Sequence, residues 1–378
     1  YMDNSLFLKF KLKQMVMNNF KIFISVFLIS WFSLTTFAQD TNTQLLEKLE
    51  SLESQLDNLQ HQFNKVNKQN EDLLWFEKVG DIAFVDKIYI PGPPASNIKS
   101  ETHMSYGNPL KFWSYVFIPK AVEVGKKYPL IVLPHGGVHG DLTTYYTHIV
   151  RELIAQGYIV IAPEYRGSTG YGKSYYENID YGGLENEDVF AARNHMVENY
   201  NIVDGSRVGI MGWSHGGMIS LMNIFDHPQE YQVAFAGVPV SDLVSRMGYM
   251  DDDYRALYSA DYHIGATAQE NIEEYRRRSP AWNTQKMKNT PLLIHTNTND
   301  DDVNVLEVEH LIKSLKADGK KFEYEIYQEI PGGHSFDRID TKKANKIRIK
   351  IYQFLAKELN PPSPINNLDA LRKAAYRF

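Results

Sequence analysis

The 378-residue sequence contains no cysteine. That absence excludes disulfide bonds, thiolate zinc sites, a cysteine nucleophile and a lipid-modified cysteine. A positive charge excess is also lacking: 40 Lys and Arg stand against 46 Asp and Glu, a formal net charge of −6. Without a bulk basic footprint, nucleic acid is not expected as a partner. No regular array of short strands runs through the sequence, so no propeller is expected in it. What remains is an ordinary globular balance, 43% hydrophobic and 23% charged residues. The length suits one large α/β domain or two small ones.

The N-terminal stretch reads as a leader rather than as part of the fold. KIFISVFLISWFSLTTFA, residues 21–38, has a lysine at its head, an apolar run, and small and hydroxyl residues before FAQD. This pattern is that of a secretory signal peptide, residues 1–38, cut after Ala38. Met17 is the best start for it, with the residues before as an upstream extension. The competing reading is an uncleaved membrane anchor formed by residues 22–38, near the lower length for a span. Export to a periplasm or to the medium is the expectation. Removing residues 1–38 takes away four lysines and one aspartate and leaves the remainder more acidic.

Residues 42–75 carry a heptad pattern. Leu45, Leu49, Leu52, Leu56, Leu59, Phe63, Val66, Asn70 and Leu73 follow steps of four and three, with Gln, Asn, Glu, Lys and Asp between them. Such a seam predicts a coiled coil and hence a homo-oligomer through residues 45–73. The alternative is one amphipathic helix folded back on the main domain. YIPGPPASN, residues 89–97, reads as a linker because of its Pro and Gly content. Residues 76–104 are therefore expected to be a linker with a lead-in strand.

From residue 105 to 360, apolar runs that suit buried strands alternate with helical patterns. Strands are predicted at 112–119, 128–137, 158–167, 207–213, 233–241, 291–297 and 321–330. Helices are predicted near 143–156, 186–199, from about 216, 304–317 and 342–358. Continuous apolar strands separated by helices predict an α/β fold with a mostly parallel sheet covered on both faces. Residues 243–285 break the rhythm; they are polar and tyrosine-rich and read as a helical cap. Residues 361–378 read as a tail.

GIMGWSHGGMIS, residues 209–220, carries the chemistry. It places G-x-S-x-G at a strand-to-helix junction, the context of a nucleophile elbow. Gly212 and Gly216 leave room for a strained turn that lifts the Ser214 hydroxyl above the sheet. A serine nucleophile needs a base, and the base needs an orienting carboxylate. LLIHTNTNDDDVNVLE ends a strand in Asp300, Asp301 and Asp302, and IYQEIPGGHSFDRID puts His334 in a loop after the next strand. The order Ser, acid, His is that of an α/β-hydrolase. Oxyanion donors are expected from the His215 amide and from Gly136 or Gly137 of PHGGVHG. The spacing of His135, His139 and His148 fits no zinc signature, and neither a metal nor a cofactor is expected.

Together, GWSHGG, HGG, EYRGSTGYG, GGLENEDV, RRSPAWNTQKMKNTPLLIHTNTNDDDV and PGGHSF resemble the catalytic domain of the prolyl oligopeptidase family, over residues 105–358. The resemblance implies Ser214 as nucleophile, His334 as base and Asp300 as acid. One extra residue between His295 and the valine of the D-D-x-V motif keeps Asp301 open. In the family, the slot held here by Asp302 usually carries Asn or Arg, which reads a carbonyl of the bound peptide. Family peptidases usually carry an N-terminal propeller, and here a coiled-coil pattern precedes the domain instead. Proline-specific members line their pocket with aromatics after a P-V-S segment; GVPVSDLVSRM offers Leu243 and Arg246. Proline specificity is therefore not expected. The substrate contacts expected are His135, Val240, Leu243 and Asp302. The cap tyrosines Tyr249, Tyr254, Tyr258 and Tyr262 either roof the site or pack within the cap.

The resulting expectation is an exported serine hydrolase that cleaves amide bonds of short peptides through an acyl-enzyme. A carboxylesterase for small or aromatic esters is the alternative. A non-catalytic binding protein on a hydrolase fold is the second.

Overall fold

The computed structural model describes residues 4–376. Side chains of residues 1–14, of most residues from 16 to 42 and of 377–378 are outside the described set, and with them most of the proposed leader. Two compact units are present, residues 1–60 and 61–378. The first is helical from Asn4, within α1 (Asn4–Val79). Its seam residues Leu45, Leu49, Leu52, Leu56 and Leu59 are all exposed. Among the described residues, no helix is long and apolar enough to cross a membrane.

The second unit is built on eight strands. They are β1 (Ala83–Pro94), β2 (Pro109–Pro119), β3 (Tyr128–Val132), β4 (Ile159–Glu164), β5 (Val203–Trp213), β6 (Val233–Gly237), β7 (Leu292–Asn297) and β8 (Glu323–Tyr327). They lie in the order β1-β2-β4-β3-β5-β6-β7-β8. β1 pairs antiparallel with β2, and β2 antiparallel with β4; the remaining pairs are parallel. β3, β4, β6 and β7 are buried along their whole length, which explains why apolar residues such as Leu130–Val132, Ile159–Ile161 and Leu292–Ile294 run consecutively in them. Two core clusters result. One includes Ile210, Met218, Leu221 and Leu311, and the other Ile131, Phe235, Tyr352 and Leu355.

Helices α2 (Thr147–Ala155), α3 (Lys173–Tyr176), α4 (Leu184–Asn199) and α5 (His215–Asp226) alternate with the strands. The cap holds α6 (Leu243–Tyr249), α7 (Asp252–Ser259) and α8 (Ile272–Arg277). Then come α9 (Val305–Ala317), α10 (Lys342–Leu359) and α11 (Leu368–Ala375). Asp242 caps α6 by accepting from the amides of Val244 (3.1 Å) and Ser245 (3.3 Å).

Three expectations change. The segment expected as a linker, residues 89–97, is largely strand: β1 runs to Pro94 and shifts register between Pro91 and Pro94. It lies at the sheet edge, where a missing proline N–H leaves no ladder bond unmade. The expected tail, residues 361–378, contains α11, whose Leu371 and Ala375 are buried in the core. Finally, the last turns of α1 belong to the second unit. Lys68, Trp75 and Val79 are buried there, while the seam residues Phe63, Val66 and Leu73 stay exposed. From His61 onward, the helix thus uses a face other than the heptad seam. Trp75 packs on Tyr115 and Phe117, with ring centroids 6.1 and 5.2 Å apart.

Candidate active site

Four loops meet beyond the carboxyl ends of β3, β5, β7 and β8, where open α/β sheets place their sites. Ser214 follows β5 and occupies the N-cap position of α5, its side chain making no capping hydrogen bond. Its backbone is at φ 59° and ψ −124°. A non-glycine residue in that region is strained, and the strain persists only where the surroundings over-determine it. Here the surroundings are tight. A Cβ on Gly216 would lie 2.3 Å from the Pro134 carbonyl oxygen, and one on Gly212 would lie 2.3 Å from the Gly216 oxygen. The Ser214 amide donates to Gly237 O at 2.9 Å, and Val240 N donates to Ser214 O at 3.2 Å. The first amides of α5, His215 among them, have no acceptor inside the helix.

Asp300 is buried in the loop after β7. Its Oδ1 accepts from the amides of Asp302 (2.9 Å) and Val303 (2.8 Å). Its Oδ2 lies 2.8 Å from His334 Nδ1. Between the two open candidates, Asp300 is the one that meets the histidine; Asp301 is exposed. The loops carrying Asp300 and His334 are tied together by Asn297 of β7. Its side chain donates to Ile330 O (2.9 Å) and accepts from Ile330 N (3.0 Å). Ser214 and His334 line one cavity of about 260 Å³, together with His135, Gly136, Gly137 and Asp302.

Gly136 sits against the elbow: a Cβ there would be 3.0 Å from Trp213 O and 3.4 Å from Ser214 Cβ. The His215 ring spans Gly137 O (3.0 Å from Nδ1) and Glu185 (3.0 Å from Nε2), so α5 also grips this loop. His135 stacks on Tyr165 and meets Ser168 Oγ at 2.8 Å. Burial pulls its pKa down to about 4, more than the Gly136 carbonyl and Asp141 raise it. Its ring is therefore neutral at pH 7.

Asp302 is half exposed. Its Oδ1 pairs with Arg246 at 2.8 Å, and its Oδ2 lies 3.6 Å from His334 Nε2. Val240 and Leu243, expected at the substrate, do not line this cavity. Both are fully buried in the core cluster, because their apolar side chains turn into the packing below the cap. The cap tyrosines do not line it either. Tyr249 and Tyr254 accept from Arg246, both at 2.9 Å, and Tyr258 packs on Tyr181. The apolar wall comes instead from Leu133, Leu142, Ile149, Val150 and Trp213.

Sequence reasoning missed this wall, along with Tyr146, Arg338 and Lys68. Arg338 lines the cavity and donates to His334 O. Trp213 Nε1 donates to Asp337 at 2.9 Å, joining the elbow to the histidine loop. Trp213 lies inside the G-x-S-x-G motif but at an unspecified position of it, and the others have no local pattern; the P-G-G-H-S-F context, which stops just short of Arg338, only hinted at that loop.

Fold and elbow together define the α/β-hydrolase fold, with a serine at the nucleophile elbow. The sequence pattern described as the Prolyl oligopeptidase family matches residues 144–362, more than half of the chain, and the chain belongs to that family. It is 27% identical over 265 residues to an acylamino-acid-releasing enzyme of Arabidopsis thaliana, covering 68% of this chain and 34% of the relative. It is 31% identical over 205 residues to the uncharacterized peptidase YuxL of Bacillus subtilis, covering 54% and 30%. The chain thus spans about a third of the length of these relatives. Among solved structures, an acylaminoacyl peptidase in complex with Z-Gly-Gly-Phe-chloromethyl ketone aligns with a TM-score of 0.60 at 19% identity, over 78% of this chain and 44% of that one. A puromycin-hydrolyzing peptidase of Mycobacterium tuberculosis aligns with a TM-score of 0.59 at 23% identity, over 75% and 42%.

Proposed function

We propose that this chain is an exported serine peptidase that cleaves short peptides through an acyl-enzyme. The observation that carries the reading is one constellation. A strained serine at a helix N-terminus shares a cavity with a histidine whose far nitrogen is 2.8 Å from a buried aspartate. In this reading His334 Nε2 takes the Ser214 proton as Oγ attacks the carbonyl carbon. Asp300 fixes the tautomer through Nδ1–H and offsets the positive charge that follows. The His215 amide and those of Gly136 and Gly137 receive the oxyanion. His334 then protonates the leaving amine and activates the water that frees the acid.

Asp302 is an acceptor where the family usually has a donor, so it suits an N–H or a free amine of the bound chain. The apolar wall suits a hydrophobic side chain beside the scissile bond. That same wall favours a second reading, a carboxylesterase for apolar acyl groups. The similarity to an acylamino-acid-releasing enzyme and to an uncharacterized peptidase supports amide cleavage.

The test uses wild type and Ser214→Ala on p-nitrophenyl esters and on free and N-acetylated peptide p-nitroanilides. Anilide turnover lost in the variant supports the peptidase. Ester turnover alone supports the esterase, and turnover that survives in Ser214→Ala sinks both. Export and self-association through residues 45–73 belong to the same proposal, the latter supported by the exposed seam. Light scattering on Leu52→Glu/Leu59→Glu should give a lower mass than wild type; equal masses would end the self-association reading.

A further inference from the structure

The 135–142 loop is held at two ends. One end is Gly136, packed on Ser214. Between them the loop folds on itself, since a Cβ on Gly140 would lie 2.2 Å from Gly136 O. The other end is held from α1, more than sixty residues earlier in the sequence.

Lys68 of α1 is only 2% exposed. Its Nζ donates to Glu164 Oε1 (2.8 Å), Asp141 Oδ2 (3.0 Å) and Leu142 O (2.9 Å). Glu164 Oε1 also accepts from Leu142 N at 2.9 Å, and Asp141 Oδ1 accepts from Thr169 Oγ1 at 2.7 Å. Two more helix residues, one and three turns on, both reach Thr144, two residues past Leu142. Glu71 accepts from Thr144 N at 2.6 Å, and Lys78 donates to Thr144 Oγ1 at 3.3 Å. Asp141 and Leu142 themselves line the cavity that holds Ser214.

The electrostatics make Lys68 more than a surface contact. Glu164 is fully buried, and its Oε2 has no hydrogen-bond partner among the described residues. Burial pushes its pKa up to about 7, and Lys68 works against that rise. Burial alone would depress Lys68, but Glu164 and Asp141 outweigh it, so its ammonium is stabilised in the charged form. Without that cation, two carboxylates would face each other around Leu142 in a low-dielectric site. The partly exposed Asp141 has a way out, toward the cavity.

We propose that Lys68 is a positioning residue for acyl transfer: from the N-terminal helix it neutralises Glu164 and Asp141 and so holds the 135–142 loop with Gly136 and Gly137 against Ser214. The proposal rests on the serine-hydrolase reading above. It gives the last turns of α1 a task in catalysis that no motif of the hydrolase domain contains. A loop displaced by about 1 Å at reacting distance costs on the order of a hundredfold in rate. The loss belongs in kcat, because the oxyanion contact strengthens as the transition state forms.

The experiment compares full-length wild type, Lys68→Met, Lys68→Gln and Lys68→Met/Glu164→Gln. Active sites are titrated with a fluorophosphonate, so that unfolded chains drop out of kcat. Amide hydrogen exchange is followed in residues 136–142. Lys68→Met is expected to lose at least about tenfold in kcat with KM changed less than about threefold, and to exchange faster in the loop. Lys68→Gln, which keeps a donor for Leu142 O, runs in parallel in case the methionine variant does not fold. The double variant should recover part of the lost kcat, because it removes one buried charge together with its partner. Unchanged kcat, unchanged loop exchange, or a double variant no better than Lys68→Met would each overturn the proposal. A wild type that neither turns over nor labels would instead overturn the hydrolase reading, and the catalytic role of Lys68 with it. The exchange comparison would still decide whether Lys68 holds the loop.

Discussion

Replacing Asp300 by asparagine tests the acid of the proposed triad. Asp300 Oδ1 holds its own loop through the Asp302 and Val303 amides, and an asparagine oxygen can keep those bonds. The change therefore falls on Oδ2, 2.8 Å from His334 Nδ1. An amide NH₂ there donates where the carboxylate accepted, and it favours the imidazole tautomer with its proton on Nε2. That tautomer cannot take the serine proton. Loss of the orienting carboxylate in a Ser-His-Asp triad costs about 10⁴ in kcat, or about 5.5 kcal/mol of activation free energy. Asp301→Asn is the control, since its side chain is exposed. It should stay within about twofold of wild type, as surface changes usually do. The assay is kcat on the best substrate of the ester and anilide panel, at fixed pH, with urea unfolding to show that both variants are folded. An Asp300→Asn enzyme within tenfold of wild type, or an equal loss in Asp301→Asn, would refute the assignment.

Three further outcomes are expected. Trp75→Ala should destabilise the hydrolase unit by about 3–5 kcal/mol, because a fully buried indole against Tyr115 and Phe117 leaves a cavity; a urea midpoint shift worth under 1 kcal/mol would mean that α1 is not part of this core. Gly216→Ala should cut fluorophosphonate labelling of Ser214 by more than about tenfold, because the added methyl has only 2.3 Å to the Pro134 oxygen; normal labelling would refute the tight elbow. The third concerns pH. Burial pulls His295 from its ordinary value down to about 3, and its Nδ1 has no hydrogen-bond partner among the described residues. The folded state then binds fewer protons than the unfolded one, so this residue costs stability as pH falls below about 6.5, about 2 kcal/mol by pH 5. His295→Phe should flatten the stability profile between pH 6.5 and 3; an identical slope would exclude His295 as a source of acid sensitivity.

Strand–helix alternation, the elbow and the order of Ser214, Asp300 and His334 were legible in the sequence because each rests on local pattern. Apolar runs of five or six residues report strands buried on both faces. A glycine two residues either side of a serine reports a turn with no room for side chains. The acidic run after β7 narrowed the acid to neighbours, but the choice of Asp300 over Asp301 needed the turn that aims one of them inward. The linker reading of residues 89–97 failed because proline content alone does not separate a loop from an edge strand.

Other features were decided by distance in space. The wall formed by Leu142, Ile149, Val150 and Trp213 joins residues from a loop, a helix and the end of a strand. Leu243 looked like a pocket residue and is core, because α6 turns it beneath the cap. The heptad seam of α1 was plain in the sequence, but the opposed face, which carries Lys68, Trp75 and Val79, was not. A lysine, a tryptophan and a valine at those spacings form no apolar stripe. They become a face only when Glu164, Asp141 and the β2 aromatics are brought against them. Periodicity and turn chemistry are written into neighbouring residues and determine the elements. Charge pairing and cavity walls depend on residues far apart in the chain, so only the tertiary fold decides them.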